Sequence, residues 1–519
     1  MTPASADDDG LAPYFDRYGP GYRWLVITTT MMATITVVLS STVVNVALPD
    51  IMGVFGIGQD QVQWMATGFL AAMTGSMLLN AWLNDAIGVR ATFVGSLALF
   101  SIASVAGGLA PNENVLTLAR VAQGVSAGIL QPLAMIMIFR VFPPGERGRA
   151  MGIYGIGVVL APAIGPTLGG WLTDSYDWRW VFYMGLPSSL AGMLLGWAFL
   201  PGRVGDAKPR RFDFVGLLLL TLFLALSLYT VANGQREGWD SNFVLGMASG
   251  GALFLLAFIG WELTTREPLV DLAVFGNLRY AAAAVVAVIF GAGIYGSSYL
   301  VPLFVQTVQG YTPTRAGELL IPGGLILGLV FPIAGRLTDR LPAYFLVATG
   351  LFIFGLSNVL LYDVTADTGF WRIALLVTLG RIGLGVMMPA LNAGALSVLP
   401  SEMLAQGTGT INFVRQLGGA FGVSLLSAAI EVRFAFHADA LAATQSGGNA
   451  TTLELLDRIA KLEGTWGVPA VQTLAGALDY LARVIAAQAQ SMAYGDGFAI
   501  VGIVFWAGIL PALWMRARR

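Results

Sequence analysis

The chain has 519 residues, of which 56% are hydrophobic and only 11% are charged, and its formal net charge is −2. A typical soluble domain carries about 25% charged residues, so this composition excludes a soluble globular protein and predicts a membrane protein. The near-zero net charge offers no footprint for nucleic acid, and a chain without cysteine has no disulfide and no thiolate metal site.

Apolar runs of about 20 residues, long enough to cross a hydrocarbon core of about 30 Å, recur along the whole chain. They are unbroken and do not alternate with a period of two residues, which predicts helices rather than the strands of a barrel. The sequence therefore predicts an all-α membrane protein. The fourteen predicted spans lie at 24–48, 62–83, 91–110, 114–139, 150–172, 180–200, 213–233, 243–263, 280–303, 316–334, 343–362, 371–398, 407–431 and 494–515.

The positively charged residues predict the orientation of these helices. With a cytoplasmic amino terminus, the inside segments hold seventeen Lys and Arg residues, whereas the short outside loops hold four. Because Lys and Arg concentrate in cytoplasmic loops, both ends of the chain are predicted to be cytoplasmic, with 1–23 as a cytoplasmic amino-terminal segment. The first apolar run is too long for a signal peptide, so we expect it to be retained.

Short patterns recur in the two halves of the sequence. Asp85 and Asp339 follow corresponding spans, and Arg120 and Arg381 lie within corresponding spans. The offsets of the two pairs are 254 and 261 residues, and each equals eight spans. We interpret the chain as two related six-helix bundles with two further transmembrane helices inserted between them. The first bundle, the inserted pair and the second bundle are predicted at 24–200, 213–263 and 280–515.

Five short motifs, in a fixed order along the chain, are similar to those of one transporter family. They lie at 42–49, 85–90, 120–124, 155–170 and 178–182. On these motifs the sequence resembles the major facilitator superfamily, specifically its fourteen-span drug:proton antiporters of the EmrB/QacA type. The resemblance covers roughly residues 24–515. It implies proton-coupled export of small lipophilic compounds by alternating access across the bacterial inner membrane, without a cofactor or a metal.

Polar loops follow the second and the tenth predicted span. In the family that the sequence resembles, such a loop is a conformational latch that stabilises the outward-facing state by charge pairs and helix-end contacts. Solvated turns that obey the positive-inside rule are the alternative. Ala81 and Trp82 stand where the family motif usually begins with glycine, so the second copy is the better match. The predicted latch residues are Asp85, Gly88, Arg90, Gly335, Asp339 and Arg340.

The fifth predicted span carries small residues four positions apart. In a helix these positions form one stripe that allows a neighbouring backbone to approach closely, while prolines remove backbone donors and kink the helix. An ordinary packing face is one interpretation. The resemblance implies a sharper one, in which this stretch is the antiporter signature that packs the two halves where they rock. Its residues are Gly157, Ala161, Pro162, Gly165, Pro166, Gly169 and Gly170.

Three arginines, Arg120, Arg381 and Arg415, lie well within predicted spans, and no Asp or Glu lies at comparable depth. Each would cost about 2.5–3.5 kcal/mol at the centre of an isolated membrane helix, so such residues usually face a wet cavity. A structural clamp, in which Arg caps backbone carbonyls, is the alternative. The resemblance connects Arg120 with proton coupling. The predicted substrate and proton pathway contains Asn45, Arg120, Gln123, Gln131, Arg381, Asn392, Asn412, Arg415 and Gln416.

The charge of this predicted cavity indicates the substrate class. Cation-exporting members of the family often carry Asp two residues before the threonine of the first span, where this chain has Ser40. A cavity with arginines and no deep carboxylate favours neutral or weakly acidic lipophilic compounds over cations. Uptake, or transport of lipids or fatty acids, on the same fold is the alternative function.

An enzyme embedded in the membrane is a less favoured class. The only histidine is His437, just outside a predicted span, and a lone histidine of this kind is typical of a surface. The chain contains no GxxxxGK[ST] phosphate loop, so pumping by ATP within this chain is not predicted. The sequence therefore predicts a transporter that uses a proton gradient and is not an enzyme.

The segment 432–493, between the last two predicted spans, is much longer than a connecting loop requires. Leucines and isoleucines recur at helical spacing in two parts of it, which predicts amphipathic periplasmic helices. These helices could pack on each other or cover the membrane surface as a lid. The resemblance implies instead that they dock a periplasmic adaptor, a membrane fusion protein, through apolar contacts. The other expected partners are small lipophilic substrates, protons and membrane lipids, and no nucleic acid.

Overall fold

The computed structural model describes residues 10–143, 150, 154, 164–203, 212–266, 268–338, 340–400, 403–446, 448–466 and 469–516. Within these residues all regular secondary structure is helical. Long apolar segments form helices in a membrane because each backbone N–H and C=O group then finds its partner within its own segment. The predicted all-α membrane fold is confirmed.

The first half of the molecule is the part of the chain up to residue 203. Its helices are α1 (Ala12–Tyr18), α2 (Tyr22–Phe55), α3 (Gln59–Met77), α4 (Leu79–Ile87), α5 (Val89–Gly108), α6 (Glu113–Val141), α7 (164–175), α8 (Trp180–Tyr183) and α9 (Leu186–Phe199). Pro49 and Pro132 lie inside α2 and α6, where packing against neighbouring helices compensates for the missing backbone donors.

The inserted pair comes next, followed by the second half. The inserted helices are α10 (Phe214–Glu237) and α11 (Asn242–Thr264). The second half contains α12 (Leu278–Thr307), α13 (Pro313–Thr338), α14 (Ala343–Leu360), α15 (Phe370–Leu396), α16 (Leu404–Ala443), α17 (Ala450–Thr465), α18 (Ala470–Ala507) and α19 (Ile509–Trp514).

Twelve stretches of the described helices are long and apolar enough to cross a membrane. They coincide with all the predicted spans except the second and the fifth. The second corresponds to α3 and α4, which are shorter or less apolar than the other stretches, and the fifth lies mostly outside the described residues. The number of fourteen spans and the cytoplasmic position of both termini therefore stay predictions.

The same helix pairing occurs in both halves. In the first half α6 packs against α3 and α5, and in the second α15 packs against α13 and α14. The approach is close where glycines face a backbone: a Cβ on Gly124 would lie 2.3 Å from the Phe69 carbonyl oxygen. A Cβ on Gly383 would likewise lie 2.7 Å from the carbonyl oxygen of Gly350. Small residues therefore set the packing distance within each half.

The inserted pair packs at the seam between the halves. α10 contacts α3 of the first half and α16 of the second half. Leu220, Leu224, Phe258, Val270 and Phe413 form a buried apolar cluster there, with Leu78 packed against it. The inserted helices are thus attached to both halves through apolar contacts.

The segment between the last two predicted spans is mostly helical in the described residues. α16 continues to Ala443, α17 packs against α18, and α18 runs from Ala470 into the last predicted span. Arg433 and His437 on α16 contact Asp496 on α18, with His437 Nε2 lying 2.7 Å from Asp496 Oδ2. These contacts therefore hold α16 and α18 together near the segment that extends beyond the predicted spans.

Candidate functional site

A small cavity of about 30 Å³ lies between the two halves. It has room for about one or two water molecules, whereas small-molecule sites measure about 300–1,000 Å³, so in this structure it is narrower than a drug-sized ligand. One charged side chain lines it, together with two hydroxyl groups and apolar residues. The lining residues are Thr42, Pro166, Ser298, Leu320, Gly324, Leu327 and Arg381.

Arg381 supplies the positive charge of this cavity. Its Nη2 donates a hydrogen bond to Ser298 Oγ at 3.2 Å, and this is its one hydrogen bond within the described residues. A guanidinium carries five N–H donors, so most of its donors remain for a ligand or water. Gly323 leaves room for the arginine stem, since a Cβ there would lie 2.9 Å from Arg381 Cγ. Arg381 is therefore a cation whose remaining donors are left for water or a ligand at this cavity.

A second, smaller cavity of about 10 Å³ lies within the second half, and Arg381 lines it as well. Its polar lining comes from Ser297, Ser357 and Asn358. Ser357 Oγ donates to the Leu376 carbonyl oxygen, and Asn358 Nδ2 donates to that of Phe354. This small cavity is mostly apolar, and its serine and asparagine side chains already donate to backbone carbonyls.

Arg120 occupies the environment of a structural clamp, in which an arginine caps backbone carbonyls. It is 1% exposed and lies inside the first half, where its guanidinium donates to the carbonyl oxygens of Met65 and Ser40, each at 3.0 Å. It also donates to Ser40 Oγ and Gln123 Oε1, and it lies 4.2 Å from the centroid of the Phe69 ring. Arg120 and Gln123 thus join α2, α3 and α6, and neither lines the cavity at Arg381, so their place on the substrate and proton pathway stays a prediction.

The remaining predicted pathway residues are not brought together in one site. Asn412 and Arg415 contact each other on α16, with Arg415 Nη2 donating to Asn412 Oδ1 at 2.6 Å. Gln416 is buried, and neither its Oε1 nor that of Gln131 has a hydrogen-bond partner among the described residues. Asn392 is half-buried near the end of α15. None of these five lines the two cavities described above.

Asn45 belongs to a seal between the halves. Its Nδ2 donates to the Ser298 carbonyl oxygen at 3.2 Å, and Gln306 Nε2 donates in the other direction to the Val46 carbonyl oxygen at 3.0 Å. Nearby, the amide of Thr314 donates to Asp174 Oδ2 at 2.9 Å. These bonds join the first half to the second at the end of the bundle that the Lys and Arg count predicts to face outside. We call it the outer end.

The described part of the antiporter motif contributes to this seal. Gly165 and Gly169 face α2 of the same half, at Thr42 and Val43. Gly170 faces the other half, since a Cβ on it would lie 2.2 Å from the Pro313 carbonyl oxygen. Reciprocally, a Cβ on Gly317 would lie 2.4 Å from the carbonyl oxygen of Pro166. The rest of the motif, Gly157, Ala161 and Pro162, lies outside the described residues.

The first predicted latch is bound to its own half. The Arg90 amide donates to the Pro201 carbonyl oxygen at 3.1 Å, and Arg90 Nε donates to that of Leu200 at 2.8 Å. Arg90 also contacts the Tyr14 hydroxyl, and Gly88 meets the backbone of Arg203. Asp85 is exposed, and it forms no hydrogen bond or ion pair with a described residue.

The second predicted latch is open. A Cβ on Gly335 would meet nothing within 4 Å, and the Arg340 side chain is exposed. Arg340 makes only a turn hydrogen bond, from its amide to the Leu337 carbonyl oxygen. Asp339 lies outside the described residues. In this structure, no described latch residue reaches across to the opposite half.

Four residues of the cavity and the seal are not among the predicted site residues, namely Thr42, Ser298, Gln306 and Asp174. Gln306 and Asp174 bind backbone groups of the opposite half, and Ser298 offers its own backbone carbonyl. Such contacts leave no pattern in a single sequence. A signal existed only for Asp174, because an acidic residue favours the amino terminus of a helix, here that of α13.

Comparison with known proteins identifies the family. A model of the Major Facilitator Superfamily matches residues 30–423. The multidrug resistance protein B homolog of Mycobacterium tuberculosis (strain ATCC 25618 / H37Rv) is 33% identical over 84% of this chain and 81% of its own length. The multidrug export protein EmrB of Haemophilus influenzae (strain ATCC 51907 / DSM 11121 / KW20 / Rd) is 29% identical over 94% and 95%.

The fold is also similar to that of a solved transporter. The crystal structure of a bacterial homolog of the human lysosomal transporter Spinster, in an inward-facing and occupied conformation, covers 95% of this chain and 97% of its own. The TM-score is 0.60 at 16% sequence identity, which shows the fold alone. The chain belongs to the Major Facilitator Superfamily, as the motifs predict, and it is a multi-pass membrane transporter of the bacterial inner membrane rather than an enzyme.

Proposed function

We propose that this member of the Major Facilitator Superfamily exports neutral or weakly acidic lipophilic compounds in exchange for protons, by alternating access. The names of its relatives, a multidrug resistance protein and a multidrug export protein, support export of small molecules. The central cavity carries the proposal on substrate charge. Its one charged lining residue is Arg381, and no described carboxylate lines the cavity with it. A half-buried cation without a counter-ion favours a ligand with negative or hydrogen-bond-accepting character.

The contacts between the halves support an inward-facing state. Hydrogen bonds through Asn45, Gln306 and Asp174 join the halves at the outer end. Gly170 and Gly317 also bring α7 and α13 into backbone contact there. At the opposite end, the described latch residues contact only their own half. Substrate would therefore enter the cavity from the cytoplasmic side and leave after the outer contacts separate.

The buried network around Arg120 is the proposed link to proton coupling. Its guanidinium connects α2, α3 and α6, because it binds the carbonyl oxygens of Ser40 and Met65 and the Gln123 side chain. Arg120 then acts by positioning these helices, rather than by contacting the substrate. The latch residues would pair across the halves in the outward-facing state, when the cytoplasmic ends approach each other.

Proteoliposomes with an imposed pH gradient test the proposed activity. We expect the gradient to drive counter-transport of a weakly acidic lipophilic aromatic compound, and much weaker transport of a dicationic dye. Reversing the gradient gives the direction, and a protonophore is the control that removes the driving force. Transport of the dication alone, or transport that is insensitive to the gradient, would contradict the proposal, and accumulation towards the cytoplasmic side would favour uptake.

We further propose that 432–493 docks a periplasmic adaptor. Apolar side chains on α17 and α18 are exposed, including Leu453, Leu462, Leu474 and Leu478, which are 48–58% exposed. Leucines exposed at helical spacing, on a helix pair that the Asp496 contacts hold to α16, are suited to packing against a partner helix. A lid on the membrane surface is the alternative use of the same leucines.

Replacing residues 440–490 with a short flexible linker separates the two interpretations. We expect transport in vesicles to persist, while resistance of whole cells and co-purification of the adaptor are lost. The double variant Leu474→Glu and Leu478→Glu should have the same effect, with Arg483→Glu on the same helix as the matched control. Whole-cell resistance that survives the replacement would support the lid.

A further inference from the structure

Two acidic side chains lie buried side by side where the inserted pair joins the second half. Asp213, at the amino terminus of α10, is 9% exposed, and Glu262, near the end of α11, is 4% exposed. Asp213 Oδ2 and Glu262 Oε1 lie 2.5 Å and 2.7 Å from the position that a Cβ on Gly216 would occupy. The two oxygens therefore share the space that this glycine leaves open.

The hydrogen bonds of the pair are unequal. Asp213 accepts from the Gly216 amide at 2.8 Å and from Trp261 Nε1, so both of its oxygens have donors. Glu262 Oε2 accepts from the Val270 amide at 3.1 Å. Glu262 Oε1 has no hydrogen-bond partner among the described residues. An ionised oxygen in this place would be buried, unpartnered and next to a second carboxylate, which is costly on each count.

The described surroundings offer no compensating cation. The sides formed by α10, α11 and α16 are apolar and include Leu220, Phe258 and Phe413. Asp271, on the segment that follows α11, is used to cap the Leu272–Gly276 turn, and Arg266 is exposed and forms no ion pair with either carboxylate. A third metal-ligating residue is also missing within the described chain, which argues against a metal site. A proton is the ligand that satisfies the free oxygen and removes one of the two charges.

We propose that Glu262 and Asp213 form a proton-binding site, in which Glu262 Oε1 carries the proton and directs it towards Asp213. This site is separate from the cavity at Arg381, and the proposal does not depend on the substrate that the cavity binds. Loss of the proton leaves two like charges in a buried place, where they repel strongly. Because Glu262 also binds the Val270 amide, the repulsion acts on the segment that leads from α11 into α12.

The absence of cysteine allows a direct test with the full-length protein in nanodiscs. The variant Ala273→Cys places a fluorophore on the exposed segment beside the site. We expect one titration step in its fluorescence, together with a protonated-carboxyl band in the infrared spectrum that disappears as the pH rises through the same midpoint. Glu262→Gln should remove both signals, since its amide replaces the protonated carboxyl. Glu318→Gln, which changes an exposed glutamate, is the matched control and should leave both unchanged.

A second variant keeps the proposal testable if Glu262→Gln does not fold. Asp213→Asn retains the side-chain oxygen that caps α10 but removes the neighbouring negative charge, so the titration midpoint should move to lower pH. A midpoint that does not move, or signals that persist in Glu262→Gln, would overturn the proposal. A further experiment adds Na⁺ or K⁺ at constant pH and records the same two signals. A fluorescence change that depends on either ion instead of on pH would also overturn the proposal.

Discussion

Arg120 and Arg381 occupy corresponding positions in the two halves, but their environments differ. Arg120 is buried and donates hydrogen bonds to four acceptors, whereas Arg381 has one hydrogen bond to a described residue and borders two cavities. Gln123 follows Arg120 by three residues, and Leu384 stands at the same distance after Arg381. The second half therefore has no counterpart of Gln123, whose side chain accepts a hydrogen bond from Arg120 in the first half. Related halves thus keep the residue and use it differently, as a clamp in one and as a cavity cation in the other.

Removal of the Arg120 clamp should have the largest effect of the predicted changes. We expect it to lower both stability and transport. Arg120→Ala removes the four hydrogen bonds that join α2, α3 and α6 and leaves a cavity in their place. A hydrogen bond from a charged donor contributes about 1.5–3 kcal/mol, and the cost of burying the charge offsets part of the sum, so we expect the free energy of unfolding to fall by about 2–5 kcal/mol. Thermal unfolding in detergent and transport in proteoliposomes measure both losses. Arg120→Lys should rescue poorly because an ammonium does not reproduce the planar fork.

The matched variant Arg381→Ala decides whether the two arginines really differ. It should fold nearly as stably as the wild type, because it leaves only the Ser298 hydroxyl without its donor. Equal losses of stability in Arg120→Ala and Arg381→Ala would contradict the distinction between a clamp and a cavity cation.

The cavity cation predicts a change of substrate preference. Arg381→Glu reverses the one charge that lines the central cavity, so the ratio of transport of a weak acid to that of a cation should fall at least about tenfold. Competition between the two substrates in one proteoliposome preparation measures this ratio. Arg381→Gln should be intermediate, and Arg372→Glu, on an exposed face of the same helix, is the control. An unchanged ratio would remove Arg381 from substrate selection.

The two halves contribute equivalent glycine contacts at the outer end, where they meet. Gly170 and Gly317 each face a backbone carbonyl of the opposite half, so Gly170→Ala and Gly317→Ala should both open the outer end. A cysteine in the central cavity, Leu327→Cys, reports this opening through its reaction with an impermeant reagent added outside. We expect its reactivity to rise at least about tenfold, which corresponds to a population shift of about 1.4 kcal/mol.

The control for this experiment is Gly95→Ala, because a Cβ on Gly95 would meet nothing within 4 Å. Reactivity that rises in only one of the two interface variants would show that the halves are not equivalent at the seal. Reactivity that rises equally in the control would exclude the close backbone approach as the cause.

The sequence predicts the helices, the family and the deep arginines, but not which of them face a cavity. A stripe such as Arg120, Gly124 and Gly128 has the same spacing whether it lines a cavity or packs against a helix. Here Gly124 and Gly128 pack against the backbone of α3. The face of α6 that carries Arg120 is therefore directed at α3, within the first half. Likewise, Glu262 is recognisable as a charged residue near a span end, but its neighbour Asp213 lies on another helix, and only the fold brings them together.

The two latch loops extend the contrast between the halves and predict the smallest effect. Gly88 has a φ of +85° and a ψ of 158°, a conformation that is essentially restricted to glycine, and a Cβ on it would lie 2.8 Å from the Arg203 amide nitrogen. Gly88→Ala should therefore lower the free energy of unfolding by about 1–3 kcal/mol. Gly335→Ala, near the corresponding loop, meets open space inside a helix, where Ala is favoured over Gly by up to about 1 kcal/mol, so it should not lower the free energy of unfolding. Thermal unfolding of both variants, in the same detergent, measures the difference. A loss in Gly335→Ala as large as that in Gly88→Ala would mean that the second loop is also docked, and the contrast between the loops would not hold.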